Sequence, residues 1–229
     1  MIAENIRSVT RRIAKCCEKI GRSPEGVKLV CVTKTASIEE ITEVLNCGLS
    51  SLGENRVQDA LSKYAAIRNN AEWHLIGHLQ TNKAKDAVSI FSLIHSVDST
   101  RLAKEIDEEA GSIGKVQDIL IQVNTSGEKS KFGIEPAAAI DFIKDIVVYP
   151  NISIKGLMTI APEVEDPETV RPYFRALKEL RDKINNLQPT TYNLQLLSMG
   201  MTNDFEVAIE EGSNMVRIGR AIFGDTHDR

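Results

Sequence analysis

Apolar residues recur along this chain with two alternating periods. Ile2, Ile6, Val9, Ile13, Cys16 or Cys17, and Ile20 fall three or four apart, as on one helix face, and Gly21 supplies an end. From Val27 onward, short apolar β-branched runs alternate with helical periods. The runs predict strands at 27–34, 51–55, 73–79, 93–98, 118–124, 154–160, 193–199 and 215–218. The stretches between them predict helices at 37–45, 56–68, 82–90, 100–110, 135–148, 167–185 and 204–211. Ser37 and Glu40 form a capping-box pattern, and Gly48, Gly111 and Gly212 stand where helices end in glycine. The alternation predicts one parallel (β/α)8 barrel of TIM type, an α/β fold, over 27–224. An extra N-terminal helix over 1–21 precedes it, and a single domain spans 1–229. A doubly wound open sheet is the alternative reading.

A barrel of this kind gathers function at the C-terminal ends of its strands. Those ends carry Thr33-Lys34, Gly53-Glu54-Asn55-Arg56, His78 to Lys83, Ser96 to Asp98, Gln122 to Asn124, Gly156 to Thr159, Ser198 to Thr202 and Arg217 to Arg220. The result is a polar ring around one lysine. A partly desolvated amine sheds its proton more readily and attacks carbonyls, so Lys34 is a candidate nucleophile. The plainer reading of Lys34 is a strand-capping lysine that points to water. The last two strand ends suit an anion: Ser198 and Thr202 offer hydroxyls, Gly200 and Gly219 allow close backbone approach, and Arg217 and Arg220 add charge.

Composition narrows the field. Lys+Arg 28 against Asp+Glu 32 gives a net charge of −4 with the signs interspersed, which argues against nucleic acid as partner. No apolar run reaches the length of a membrane span, and the N-terminus lacks the features of a signal peptide. A cytoplasmic location is expected. Four cysteines without C-x-x-C or zinc spacing read as buried structural thiols. His74 and His78, spaced four apart on a predicted strand, stand ~13 Å apart and cannot share an ion; no metal is expected. His74 reads as a core histidine, His78 as a residue near the mouth, and His95 has no evident partner.

The blocks VTK ending at Lys34, GENR (53–56), WHLIGHLQTNK (73–83), SVD (96–98), Lys131-x-Gly133, GLM (156–158), LSMGMTND (197–204) and VRIGRAIFG (216–224) occur in this order. In them the chain resembles the pyridoxal phosphate homeostasis proteins, whose barrel is like the N-terminal barrel of bacterial alanine racemase. The resemblance implies pyridoxal 5′-phosphate (PLP) as cofactor, held as an internal aldimine on Lys34. Ser198 and the backbone at Gly219 and Arg220 would hold its phosphate, and Arg217 would face the pyridine nitrogen. Asn55 and Met158 would line the ring. An arginine at the ring nitrogen disfavours a protonated pyridine and weakens the ring as an electron sink. The implied role is buffering or delivering PLP within vitamin B6 and amino-acid homeostasis, with PLP-dependent apo-enzymes as possible recipients and little catalysis of its own. A PLP-dependent amino-acid racemase of low activity is the alternative. A two-base racemase needs a second acid/base, and Tyr64, Tyr149, Tyr173 and Tyr192 fall on predicted helices or at the barrel bottom. The absence of a racemase-like second domain suggests a monomer. Lys83 and Lys131 read either as transient PLP acceptors or as surface lysines.

Overall fold

The computed structural model describes residues 1–128, 130–187 and 193–224. Eight parallel strands close into a barrel in sequence order: β1 (Lys28–Val32), β2 (Ser51–Glu54), β3 (Glu72–Leu75), β4 (Leu93–Val97), β5 (Gln117–Gln122), β6 (Ile152–Met158), β7 (Leu196–Ser198) and β8 (Met215–Ile218). β8 pairs back onto β1, with Lys28 opposite Met215 and Cys31 opposite Ile218. Closure into a ring rules out the open-sheet alternative.

The helices are α1 (Ile2–Lys19), α2 (Ile38–Asn46), α3 (Val57–Ile67), α4 (Ala84–Ile90), α5 (Thr100–Ser112), α6 (Ala139–Ile146), α7 (Arg171–Leu187), α8 (Phe205–Glu210) and α9 (Arg220–Phe223). The period of α1 buries Ile2, Ile6, Val9, Ile13, Cys16 and Cys17 against α2, α8 and α9. Full burial of each aliphatic among them contributes about 1.5–3 kcal/mol. Asn5 Nδ2 of α1 donates to the Ile222 carbonyl of α9, and Arg22, just past α1, donates to the Ser213 carbonyl ahead of β8. The Ser37–Glu40 capping box forms as the sequence predicts.

Period two in the strands divides the core. Val30, Leu93, Leu120, Met158 and Met215 pack on one another as a separate cluster inside the barrel. Alternate residues such as Cys31, Leu52, Leu75, Ile94, Ile121, Leu197 and Val216 pack outward in the strand–helix layer. Gly53 faces inward, where a Cβ would sit 3.0 Å from Val30 and 3.2 Å from Ile76.

Several expectations are corrected. β3 ends at Leu75, so His78 lies on the following loop rather than on a strand. β7 is only Leu196–Ser198. The helices expected from 82, 135 and 167 enter through 3-10 turns at Thr81–Lys83, Pro136–Ala138 and Pro167–Val170, two of them opened by proline. Gly111 does not end its helix; α5 runs on to Ser112, and Gly114 takes the positive φ of 66°. Helix propensity alone cannot separate two glycines three residues apart. Cys47 is exposed, whereas Cys16, Cys17 and Cys31 are buried as expected.

Candidate functional site

A cavity of about 510 Å³ opens at the C-terminal ends of the strands, within the size range of small-molecule sites. Lys34, Asn55, Arg217, Gly219 and Arg220 line it, as do Thr202 and Lys131. Lys34 and Asn55 are exposed to solvent. The other two expected site residues lie deeper: Met158 and Ser198 are fully buried below the cavity floor. Met158 belongs to the interior apolar cluster.

Behind Lys34, the end of β1 is anchored to the helix layer. Lys63 of α3 donates to the carbonyl of Thr33 at 2.5 Å and to that of Lys34 at 3.3 Å. The same ammonium lies 2.8 Å from Glu54 Oε1, which also accepts from the Thr33 hydroxyl at 2.6 Å. Glu54 therefore faces away from the ring of strand ends in which the sequence placed it. Its Oε2 is buried with no hydrogen-bond partner among the described residues. Burial pushes the Glu54 carboxyl above its usual range, against the opposing pull of Lys63 and Thr33.

Arg217 is the buried cation of the site. Its Nη1 donates to Ser198 Oγ at 2.6 Å and its Nη2 to the Thr159 carbonyl at 2.9 Å. Burial lowers its pKa to about 10, with Asp204 nearby opposing the shift, so it stays charged at neutral pH. Asp204 in turn is pushed up by burial, while its Oδ1 accepts from the Met201 N–H at 2.5 Å and holds the β7 loop in place. The Ser198 hydroxyl is committed between Arg217 and His95, so it is not an open anion donor. The hydroxyl on the cavity wall is that of Thr202, which accepts from the Ala221 N–H at 3.4 Å and so joins the β7 loop to α9. Arg220 reaches outward to Glu163 at 3.4 Å.

His95, without an evident partner in the sequence, has two in the structure. It is fully buried, with Nδ1 2.9 Å from Ser198 Oγ and Nε2 2.9 Å from His74 Nδ1. Burial holds it well below its ordinary pKa, reinforced by the positive charge of Arg217. The signal was present in the strand period: Glu72, His74 and, on the next strand, His95 occupy alternating inward positions. Starting β3 at Trp73 left Glu72 out of that pattern. His78 stacks on Phe132 at 3.8 Å between centroids and lies 3.9 Å from Asp98, off the cavity wall. No cluster of metal-ligating side chains occurs among the described residues.

The donor set fits a small molecule that carries both an aldehyde and a phosphate. An amine, a buried guanidinium, a hydroxyl and the glycine-containing β8–α9 junction meet in one cavity. Comparison with known proteins agrees. Residues 3–227 match the family model of the alanine racemase N-terminal domain. The chain is 48% identical to the pyridoxal phosphate homeostasis protein of Aquifex aeolicus, over 97% of each chain. PipY of Synechococcus elongatus, solved with PLP bound, superimposes with a TM-score of 0.85 at 32% identity, covering 98% of this chain and 100% of that one. An alanine racemase of Clostridium difficile shares the fold, with a TM-score of 0.75 at 17% identity over 96% of this chain and 56% of that one. The chain belongs to the pyridoxal phosphate homeostasis proteins, a family built on the alanine racemase N-terminal barrel.

Proposed function

We propose that the mouth cavity binds PLP covalently and reversibly, and that the protein buffers or delivers this cofactor in the cell. The observation that carries the reading is the placement of Lys34 and the buried, twice-bonded Arg217 on one cavity wall. The neutral Lys34 amine would attack the aldehyde carbon and lose water to form a Schiff base. Arg217, donor only, would face the pyridine nitrogen and keep it unprotonated. The phosphate would lie against the Thr202 hydroxyl and the backbone of Gly219 and Arg220. In this reading Thr202 takes the phosphate-holding part that the resemblance implies for Ser198, because the Ser198 hydroxyl is bonded to both Arg217 and His95. Asn55 would flank the ring, and Met158 would support the site from below.

Exposure of Lys34 and Asn55 favours delivery over racemisation, because water and competing amines can reach the imine carbon. Tyr192, one of the tyrosines considered as a second base, lies outside the described residues. Cytoplasmic action suits the free thiols, three of them buried. No helix among the described residues is long and apolar enough to cross a membrane.

The test is visible absorbance with borohydride trapping, comparing the wild type with Lys34→Ala. A Schiff-base band that reduction fixes on the Lys34 peptide, and that the variant lacks, is the expected result. A wild-type protein that takes up no PLP would overturn the assignment.

A further inference from the structure

The hydrogen bonds that leave Arg217 through the barrel interior share one direction. Arg217 can only donate, so Ser198 Oγ accepts at 2.6 Å. The hydroxyl has one proton to give, and His95 Nδ1 lies 2.9 Å away. His95 then carries its own proton on Nε2, which faces His74 Nδ1 at 2.9 Å. His74 likewise carries its proton on Nε2, 3.3 Å from Glu72 Oε1 but outside hydrogen-bond geometry, so that last link is electrostatic. The reverse arrangement, with His95 Nδ1 donating, leaves the Ser198 proton without an acceptor among the described residues.

The chain ends at the opposite face of the barrel. Ser198, His95 and His74 are fully buried, whereas Glu72 is partly exposed. Glu72 accepts there from Lys28 Nζ at 2.8 Å and from Ser51 at 2.9 Å, beside a cleft of about 320 Å³. A cation at the mouth and a carboxylate at the floor thus bracket two histidines, and the field between them favours the tautomers that the geometry selects.

We propose that His95 and His74 are positioning residues for Arg217. A polarised hydrogen-bond chain from His74 to Arg217, biased electrostatically from the barrel floor by the Glu72 carboxylate, aims the Ser198 lone pair at the guanidinium and fixes where Arg217 presents its charge in the mouth cavity. The inference rests on the reading that Arg217 faces the PLP ring, and it adds that the far end of the barrel tunes that contact.

The first measurement is histidine 15N NMR of the full chain without cofactor. Neutral His95 and His74, both protonated on Nε2, are expected; a proton on His95 Nδ1 overturns the proposal. The second is the absorbance band and retention of PLP in three variants. His95→Gln keeps an acceptor toward Ser198 and a donor toward His74, so it should retain the wild-type band. His95→Leu should shift the band and weaken retention roughly tenfold. Glu72→Leu, at a partly exposed position, should shift it in the same direction, and it decides the matter if His95→Leu does not fold. Unchanged spectra in the folded variants overturn the proposal. A wild type that binds no PLP instead sinks the cofactor reading, and the tautomers alone then judge the chain.

Discussion

Acid should weaken this protein first through His95. The ring is fully buried, and burial with the nearby charge of Arg217 holds it neutral well below its ordinary pKa of 6.5. In the unfolded chain the same ring protonates near 6.5. Below that pH the unfolded state therefore binds a proton that the folded state refuses, so stability falls as pH falls. Each pH unit costs about 1.4 kcal/mol for one such proton, or up to about 2.7 kcal/mol between pH 6.5 and 4.5. The lower limit is set by carboxylates such as Glu72 and Glu210. Their partners hold them below 4.5 in the folded state, so their contribution is lost only below that pH. Buried Glu54 and Asp204 act in the opposite sense, being raised, and they cancel in a comparison of two proteins. The comparison is wild type against His95→Gln, by urea unfolding followed by circular dichroism, in steps from about pH 7 to pH 4.5. The difference between them should narrow or reverse across the window, because the variant lacks the titrating group. Parallel curves would mean that folded His95 accepts the proton, and the neutral-acceptor assignment would be wrong.

Two other substitutions probe the walls of the site. Lys63→Met removes the cation from the buried Glu54 pair and the donor from the carbonyls behind Lys34. It should cost about 3 kcal/mol, with Glu54 taking up a proton and the variant regaining stability as pH falls; urea unfolding at two pH values reads both effects. Gly77→Ala would place a Cβ 2.2 Å from the Asn55 carbonyl oxygen. The clash should cost about 1–3 kcal/mol and displace Asn55 from the cavity, so PLP retention should drop more than in a surface Gly→Ala control; equal retention would show that Asn55 does not flank the cofactor.

Much of the barrel was legible because its two periods are strong and uninterrupted. Val27 to Lys34 reads as a buried strand from its β-branched run alone, and the Ser37–Glu40 cap marks the helix that follows. Boundaries failed where apolar residues continue beyond the pairing. Ile76 and Leu79 are buried without belonging to β3, so hydrophobicity extended that strand past Leu75. The mouth residues were legible as strand ends, but their facing was not. Thr33 and Glu54 differ from Lys34 and Asn55 by one step of the pleat, and one step decides between the helix layer and the cavity. The engagement of Ser198 with Arg217 and His95 was hidden for a related reason. Both hydroxyls of the β7 segment suit a phosphate, and only the placement of His95 shows that one of them is taken. Long-range side-chain pairs such as His95 with Ser198 leave no mark on the local pattern of either strand.

The attachment of α1 also sets a timetable for synthesis. Its apolar stripe is made long before partners such as Glu206 and Ile222, which lie 194 and 217 residues away from their α1 contacts along the chain. At a ribosomal rate of about 5–20 residues per second, roughly 10 to 40 s pass before they exist. Ring closure waits equally long, since β1 has no neighbour on one side until β8 is made. Through that interval the nascent chain carries a helix covered only in part, by α2, and an open sheet edge. Early folding must depend on temporary cover for both, and stability of the finished barrel offers no protection during that interval.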